Sequence, residues 1–381
     1  MLVRILHRRR MSTPRSRSPL LATLVPMVWK YGLTAALVLT VLLLLAYAAP
    51  RGGGGAGSEA ATTTLRLPPS PLLAPGVAAM CAGRTAANTR PVFATPGSEG
   101  AAAAAAAPPP PPEGAGTPDT VFSRIYSTLR WSADGGGSGT GSTVSATATL
   151  RAYLEMLVYR HQVTRVLDAP CGSSHWWPEL LARLRAVVPC FTYSGVDVVS
   201  SVVEASRAVY AGDPLTSFQV ADLSVAGVGA GLRAAAAGAS GGAGFDLALC
   251  RDALQHLPLS LAVSVLENLG ATGARLVALG SYLEETAGNA EIPTGEYYKI
   301  NLLLPPFSLN VSRAVDVLNE NSRSKTERKY MLLFTGEYIA GLDYAAMRER
   351  VREFKAGHKG ARRGASSSGG GNSAEGLLAG S

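Results

Sequence analysis

The sequence predicts an α/β fold in which a parallel sheet carries helices on both faces, preceded by one transmembrane helix and a disordered stalk. Three observations predict it. From residue 163 onward, short apolar runs alternate with helical apolar patterns, which is typical of a parallel sheet with right-handed crossovers. An uncharged apolar stretch near the amino terminus is long enough to cross a membrane. Between the two lies a segment dominated by Gly, Ala and Pro.

The amino-terminal apolar stretch, Tyr31–Ala49, has about the length of a membrane-spanning helix. Seven basic side chains and no acid precede it in residues 1–30, and Arg51 stands almost alone after it. The positive-inside rule then leaves residues 1–30 in the cytoplasm. We expect a single-pass type II protein with a signal anchor and a Golgi or ER lumenal domain. The alternative is a plastid or mitochondrial transit peptide, because residues 1–30 are rich in Arg and Ser and free of acid.

Charge and cysteine content exclude several classes of function. The formal net charge is +8, but without residues 1–30 the chain has 28 basic against 27 acidic side chains. We therefore expect no nucleic-acid partner. None of the four cysteines is paired at metal-ligand spacing, so we expect neither a disulfide scaffold nor a metal site. Asn310-Val311-Ser312 is an N-glycosylation sequon, meaningful only if the domain is lumenal. The cysteines are Cys81, Cys171, Cys190 and Cys250.

The folded part is predicted to span residues 117–345, after a low-complexity stalk at residues 50–116. A helical cap at 117–160 comes first. Its first helix has an apolar face, a Gly/Ser loop follows at Gly135–Ser142, and Ala146–Val158 forms a second helix. Residues 346–381 form a carboxyl-terminal segment that we expect to be disordered from about Ala356. The apolar face of the first helix consists of Phe122, Ile125, Tyr126 and Leu129.

The α/β core at 161–345 is predicted to contain six strands. Helices at Val199–Tyr210 and Leu259–Leu269 fall between strands, and Val225–Gly244 is predicted to be a surface loop or a poor helix. The predicted strands are Val166–Asp168, Phe191–Asp197, Ser217–Asp222, Phe245–Cys250, Arg275–Gly280 and Lys329–Phe334.

A ligand site is predicted at the end of the first strand, where Val166–Trp177 reads as strand, loop and helix. In an open α/β sheet, ligands bind at the carboxyl ends of the strands. The first N–H groups of the next helix can donate hydrogen bonds to an anion. The dinucleotide pattern of three glycines is not met. Only Gly172 is in place, with Pro170 and His175 at the flanking positions.

Four acids end or follow four successive predicted strands, so we expect them to line one crevice. Asp197 can accept hydrogen bonds from both hydroxyls of a ribose. Asp222 can accept from an exocyclic amine such as that of adenine, and Asp168 can order the loop or meet an ammonium group. Any one of them can instead cap a helix. The four are Asp168, Asp197, Asp222 and Asp252.

Several motifs in order give the chain a family resemblance over about Val121–Leu342. It resembles class I S-adenosylmethionine-dependent methyltransferases, and within them a group that shares these motifs, which implies a Rossmann-like methyltransferase sheet. The motifs are Phe122–Tyr126 (Phe-x-x-Ile-Tyr), Ser138–Ser142 (Ser-Gly-x-Gly-Ser), Leu167–Gly172 (Leu-Asp-Ala-Pro-Cys-Gly), Cys250–Leu257 (Cys-Arg-Asp-x-Leu-x-His-Leu), and an Asn-x-x-Ile…Gly…Asn-Leu…Pro-Pro-Phe pattern through Asn289, Ile292, Gly295, Asn301, Leu302, Pro305, Pro306 and Phe307.

The resemblance implies S-adenosylmethionine as the cofactor and assigns residues to its parts. The first loop would hold the methionine end, Asp197 the ribose, and Asp222 with Leu223 the adenine. Cys250 and Arg251 would lie beneath the sulfonium. The family usually has Asp after Cys-Gly, whereas this chain has Ser173-Ser174-His175, so the role of that Asp is unfilled or passes to Ser173 or His175. The first-loop residues are Asp168, Pro170, Cys171 and Gly172.

The candidate bases for a hydroxyl acceptor are Asp252 and His256, four residues apart. Alternatively, Asp252 caps the following helix and His256 packs beside it. Arg251 can pair with a substrate carboxylate or with Asp252. The Asn289–Phe307 segment is the expected acceptor lid, in which Tyr297, Tyr298 and Asn301 could contact substrate.

We expect a membrane-anchored methyltransferase acting on a glycan or another small polar acceptor. The two alternatives are an NAD(P)-dependent oxidoreductase and a non-catalytic partner module with a methyltransferase-like domain. The sequence does not indicate an oligomeric state.

Overall fold

The computed structural model describes residues 79–82, 92–93, 116–240, 242, 244–321 and 328–367. The chain divides into two units, Met1–Pro68 and Pro69–Ser381. All described residues belong to the second unit, which contains a seven-stranded sheet of order β3-β2-β1-β4-β5-β7-β6. The strands are β1 Arg165–Asp168, β2 Thr192–Asp197, β3 Thr216–Val220, β4 Leu247–Cys250, β5 Leu276–Ser281, β6 Asp316–Asn319 and β7 Tyr330–Thr335.

The first five strands are parallel, and β7 runs antiparallel between β5 and β6. Every residue of β1, β2, β4 and β5 is buried, as expected of parallel strands covered on both faces. From β1 the chain adds β2 and β3 on one side and then returns to place β4 on the other side of β1. The carboxyl ends of β1 and β4 therefore flank a crevice at the switch point of the sheet, where α/β proteins bind ligands.

Helices pack on both faces because alternate residues of each strand point to opposite sides. One hydrophobic cluster, with Leu180 and Tyr193, joins α2, α3 and α4 to the sheet. The other, with Leu232 and Leu266, joins α5, α6, α7 and α8 to the opposite face. The helices are α1 Pro118–Ser127, α2 Ala148–His161, α3 Trp177–Val187, α4 Ser200–Val209, α5 Val228–Ser240, α6 Leu259–Ala271, α7 Gly336–Ala340 and α8 Tyr344–Ser367.

The predicted α/β class and all six predicted strands are confirmed, with boundaries that shift by a few residues. Of the surface loop and the poor helix predicted for Val225–Gly244, the structure has a helix, α5, because Leu232 and Ala236 bury against the sheet. One expected element differs from the structure. Helix α8 continues past Ala356 to Ser367, although a disordered tail was expected there.

The predicted anchor at Tyr31–Ala49 and most of the predicted stalk lie outside the described residues. Among those residues, no helix combines the length and the apolar character that crossing a membrane requires.

A disulfide joins Cys81 to Cys190, across 109 residues of sequence, with an S–S distance of 2.08 Å. The sequence analysis did not pair these two cysteines, since so wide a spacing carries no signal of its own. Met80 and Cys81 also pack against the cluster that holds Leu180. Cys190 lies two residues before β2, so the disulfide is at the edge of the sheet where the parallel strands begin.

Candidate active site

A cleft of about 1010 Å³, including some open solvent, lies at the carboxyl ends of the parallel strands. Nearly all predicted site residues line it: Asp168, Pro170, Cys171, Gly172, Asp197, Asp222, Leu223, Arg251, Asp252 and His256. Cys250 is the exception. It packs in the core cluster beneath the cleft, and burial raises the pKa of its thiol.

The helical cap covers this cleft with α1 and the loop after it. Phe122 and Tyr126 of α1, then Trp131, Ser138 and Ser142, line the cleft from above. We call residues 118–142 the lid. Helix α1 begins at Thr117, whose side chain caps it, with Pro118 at the first turn. The helix agrees with the one predicted from the sequence, whereas the predicted lid segment, Asn289–Phe307, is a different part of the chain.

Hydrogen bonds between two closely packed loops hold the lid against the loop that follows β1. Ser138 Oγ accepts a hydrogen bond from the Ser173 backbone N–H at 3.0 Å, and Ser173 Oγ donates one to the Gly135 carbonyl at 2.6 Å. The loops pass so closely that a Cβ on Gly172 would lie 2.8 Å from Ser138 Oγ. A Cβ on Gly136 would lie 2.7 Å from Ser173 Oγ, and both glycines have positive φ. Ser173 therefore holds the lid against the loop that follows β1.

Asp168, at the tip of β1, is 3% exposed. Its Oδ2 accepts hydrogen bonds from Trp177 Nε1 at 2.6 Å and Tyr193 Oη at 2.8 Å. Burial disfavours the charged carboxylate more strongly than these donors stabilise it, and the pKa of Asp168 rises to about 7. A cation in the cleft would stabilise the ionised form.

Asp197, at the tip of β2, holds the neighbouring backbone in place. Its two oxygens accept the N–H groups of Gly172 and Val199, at 2.9 and 3.0 Å. Burial still raises the pKa of the Asp197 carboxyl. Because a carboxylate has about four acceptor positions, it can still receive hydroxyl groups from a ligand.

Asp222 follows β3 and keeps one oxygen for a ligand. Its Oδ1 accepts the Ser224 backbone N–H at 2.8 Å and the Ser224 hydroxyl at 2.6 Å. No hydrogen bond to Oδ2 occurs within the described part of the chain. Asp222 and Leu223 both line the cleft.

Asp252 lines the cleft and belongs to a charged network. Lys329 Nζ contacts both of its oxygens, at 2.9 and 2.7 Å, and Arg251 Nη1 lies 2.9 Å from Oδ2. Arg251 and Lys329 also pair with buried Glu320. These cations hold the pKa of Asp252 well below its usual range despite the burial of its carboxyl. A carboxylate held in this way is a weak base. Asp252 also has a positive φ of 51°.

Arg251 carries this network up to the lid. Its Nη2 donates to the Gly141 carbonyl at 2.9 Å. The guanidinium therefore pairs with Asp252 and Glu320 beneath the cleft and holds the lid loop above it. Of the two uses that the sequence left open for Arg251, pairing with Asp252 is the one observed.

His256 is held with one ring nitrogen bound to the protein. Its Nδ1 lies 2.8 Å from the Glu296 carbonyl oxygen. Since a carbonyl only accepts, Nδ1 carries the proton and Nε2 of the neutral ring has the lone pair. Burial lowers the pKa of His256, against the opposing effects of Glu296 and Asp252. Its ring packs against Trp131 in a tilted arrangement, with centroids 4.6 Å apart and an interplanar angle of 34°.

The Asn289–Phe307 segment supports the site from outside. The Asn289 side chain donates to the Asn301 carbonyl and accepts from the Asn301 backbone N–H, and the Asn301 side chain donates to the Glu285 carbonyl. Gly295 N donates to the His256 carbonyl at 2.8 Å. The cleft lining includes none of Tyr297, Tyr298 or Asn301. The segment expected to be the lid therefore positions His256, and α1 with its following loop covers the ligand space.

Sequence reasoning missed Trp131, Glu320 and Lys329 as members of the site. Trp131 follows the Phe-x-x-Ile-Tyr motif closely, so its place beside the lid helix carried a signal. Glu320 directly follows β6 and Lys329 directly precedes β7, and they reach Arg251 only because β7 inserts next to β5. Within the described residues, no group of three or more His, Cys, Asp or Glu side chains could hold a metal ion.

Comparison with known proteins gives matches to solved structures alone. No family model matches the chain, and no curated protein does. Magnesium protoporphyrin IX methyltransferase from Synechocystis PCC 6803 with bound SAM is 16% identical, over 50% of this chain and 77% of that chain, with a TM-score of 0.33.

Two further structures are similarly distant. Human N-acetylserotonin methyltransferase in complex with SAM is 11% identical, over 57% of this chain and 59% of that chain, with a TM-score of 0.36. A 1,6-didemethyltoxoflavin-N1-methyltransferase from Burkholderia thailandensis is 17% identical, over 56% and 84%, with a TM-score of 0.38. Identities and TM-scores this low assign no activity to this chain.

Proposed function

We propose that this chain is an S-adenosylmethionine-dependent methyltransferase that acts on a hydroxyl-bearing small molecule or glycan. The observation that carries the proposal is the pattern of hydrogen bonds around the cleft. Acids stand at the ends of three adjacent strands, while the backbone N–H groups of the first loop are already used inside the protein.

The first loop offers little to a phosphate. The N–H groups of Cys171, Gly172 and Ser173 donate to the Val196 carbonyl, Asp197 and Ser138. A dinucleotide needs such N–H groups for its pyrophosphate. A cofactor without phosphate does not, so this loop favours S-adenosylmethionine over a nicotinamide dinucleotide.

The cleft residues fit the parts of that cofactor. Asp197 would accept hydrogen bonds from the ribose hydroxyls, and Asp222 Oδ2 would accept one from the adenine amine. Asp168, with its pKa near 7, would meet a positive charge of the methionine end. When bound, S-adenosylmethionine supplies a methyl group already activated by the sulfonium, so the protein has mainly to align it with the acceptor.

His256 is the side chain in the cleft best suited to take a proton from an acceptor hydroxyl. Its Nδ1–H is fixed by the Glu296 carbonyl, which leaves Nε2 as the base. The same hydrogen bond, with the Asp252 carboxylate, would stabilise the protonated ring. Trp131, which packs against His256, and Phe122 give the acceptor an aromatic wall. Such a wall packs against a phenol or against the apolar face of a sugar.

The cofactor is tested by thermal shift with S-adenosylmethionine, S-adenosylhomocysteine and NAD(P)H. We expect the first two to raise the melting temperature. Stabilisation by NAD(P)H alone would favour the oxidoreductase, and no stabilisation by any of them would favour a non-catalytic module.

The binding mode is tested with Asp222→Asn. The variant keeps Oδ1 for Ser224 but places an NH₂ group where the adenine amine would donate. We expect a loss in cofactor affinity corresponding to roughly 1.5–3 kcal/mol, the range of hydrogen bonds to charged groups, with an unchanged melting temperature of the free protein. Unchanged affinity would remove Asp222 from the site. Asp197→Ala is a poorer probe because it also strips Gly172 and Val199 of their acceptors.

The acceptor is tested by incubating the protein with labelled S-adenosylmethionine and cell extract, then identifying the labelled product. We expect a methyl ether. A labelled amine would leave the methyl transfer standing and remove the hydroxyl acceptor.

A further inference from the structure

We infer that Asn310 carries an N-linked glycan and that the folded domain lies in the lumen of the secretory pathway. This goes beyond methyl transfer and does not depend on it. Two observations far apart in the sequence support it: the geometry of the sequon at Asn310 and the disulfide at Cys81.

The sequon lies on the surface in a conformation that leaves the acceptor nitrogen available. Asn310, Val311 and Ser312 are all exposed. Asn310 Oδ1 accepts the Ser312 backbone N–H at 3.0 Å and the Ser312 hydroxyl at 2.7 Å. Within the described residues, Nδ2 of Asn310 makes no hydrogen bond.

A glycan at this position would leave the cleft open. Strand β6 is parallel to β5, since both pair antiparallel with β7. Asn310 precedes β6 and therefore lies at the edge where the parallel strands begin, opposite the cleft. Its backbone N–H donates to Tyr338 Oη at 2.8 Å, next to the end of β7.

The disulfide indicates the compartment. Disulfides persist in oxidising environments and are rare where thiols are kept reduced. Cys81–Cys190 holds chain that precedes the lid against the amino-terminal edge of the sheet. The remaining two cysteines, Cys171 and Cys250, are buried thiols, so the bonded pair is the one whose partners the fold brings together.

The transfer itself needs a glycosyl donor of the compartment, a lipid-pyrophosphate-linked oligosaccharide. A bond forms between Asn310 Nδ2 and the anomeric carbon of the donor sugar. The bond from that carbon to the pyrophosphate oxygen breaks, and the lipid pyrophosphate leaves with the electron pair. The amide nitrogen loses one proton to the oligosaccharyltransferase.

The test is translation of the full chain in the presence of endoplasmic reticulum microsomes, followed by protease and by peptide N-glycosidase. We expect a protease-protected chain that loses the mass of one glycan when the glycosidase is added. On a non-reducing gel, Cys190→Ser should change its mobility.

Matched variants separate the sequon from the fold. Asn310→Asp keeps the Oδ1 acceptor for Ser312 yet removes the amide, and Ser312→Ala removes the hydroxyl. Both should lose the glycan, whereas Ser312→Thr should keep it. A protected chain without sugar would overturn the glycan, and a digested chain would overturn the lumenal domain.

Discussion

Two opposing effects act on the pKa of the Asp168 carboxyl. Removal from water raises its pKa from 3.8 to about 7, while hydrogen bonds from Tyr193 and Trp177 oppose that shift. Near neutral pH the group therefore lies between its two charge states, and its charge can respond to what enters the cleft.

We expect the affinity for S-adenosylmethionine to rise about tenfold between pH 6 and pH 8. The sulfonium and ammonium groups favour ionised Asp168, and a group with a pKa near 7 is mostly protonated at the lower pH. Binding at pH 7 should release protons, which calorimetry in two buffers of different ionisation enthalpy measures.

The control for this pH dependence is Asp168→Asn. One amide oxygen still accepts from Trp177 and Tyr193, but the charge is gone, so the dependence should vanish. Because the folded protein holds its Asp168 proton up to a pKa of about 7 and the unfolded chain only to 3.8, the wild-type protein should lose stability as pH rises between these values. The variant should not show this loss. An unaltered pH dependence in the variant would assign the effect to another group.

We expect different roles for His256 and Asp252. His256 acts as the base, and Asp252 is a structural carboxylate. We expect His256→Gln to lower turnover roughly 10²–10⁴-fold with cofactor affinity nearly intact. Because the pKa of His256 is lowered below its ordinary 6.5, the wild-type rate at saturating cofactor should be flat above pH 6.5 and fall only below it.

For Asp252→Asn we expect the opposite result. It leaves Arg251 and Lys329 with less countercharge, so it should lower stability, by at most roughly 3–5 kcal/mol, the cost of breaking a buried pair. Turnover per folded molecule should be preserved. A folded Asp252→Asn protein with wild-type stability and no turnover would make Asp252 the base.

Sequence reasoning found the acids of the site but not their surroundings. Asp197 and Asp222 could be predicted because strand ends are readable from apolar runs. The ion pairing of Asp252 could not be predicted, because Lys329 lies 77 positions away and reaches Asp252 only through the antiparallel strand β7.

At the scale of elements, the lid behaves as a cover tied at separate points. Ser173 holds it to the first loop and Arg251 holds its far end. Arg130 of the lid forms an ion pair with Glu296 at 2.8 Å. This ion pair joins the lid to the loop that positions His256. Closing the lid over a ligand and orienting the base are therefore linked through adjacent contacts.

We expect Ser173→Ala to weaken cofactor binding by accelerating its release. The variant loses hydrogen bonds to Gly135 and Ser138, each worth about 0.5–1.5 kcal/mol. Stopped-flow release of the cofactor and hydrogen exchange at residues 134–142 measure the effect.

Ser123→Ala is the matched control, because Ser123 Oγ bonds Asp119 within α1 and does not line the cleft. Equal release rates for the two variants would show that the Ser173 clamp does not retain the ligand.

The elements themselves were more predictable than their assignment as lid. Alternating apolar patterns give the strands, and Phe122, Ile125 and Tyr126 give α1. Strand β6 has a weak pattern because it is a half-buried edge. Which loop covers the cleft depends on close approaches such as that of Gly172 to Ser138, which leave no periodic trace in the sequence.

At the scale of the whole molecule, we expect the disulfide to stabilise the fold. In the chain-entropy estimate, closing a loop of about 100 residues contributes roughly 4.7 kcal/mol, with ~2–4 kcal/mol typical of measured cases. Cys190→Ser should lower the free energy of unfolding by an amount in this range under oxidising conditions. In reducing buffer the variant and the wild type should unfold together. A difference that persists in reducing buffer would come from packing at Cys190.

The disulfide also changes what a cut in the chain would do. Any single proteolytic cleavage between Cys81 and Cys190 produces two fragments, yet they stay covalently joined through the sulfur atoms. A nick in the Ala- and Pro-rich sequence before α1 would thus pass unnoticed on a non-reducing gel and appear as two bands after reduction. Shedding of the domain by such a cut would require a reductant as well as a protease.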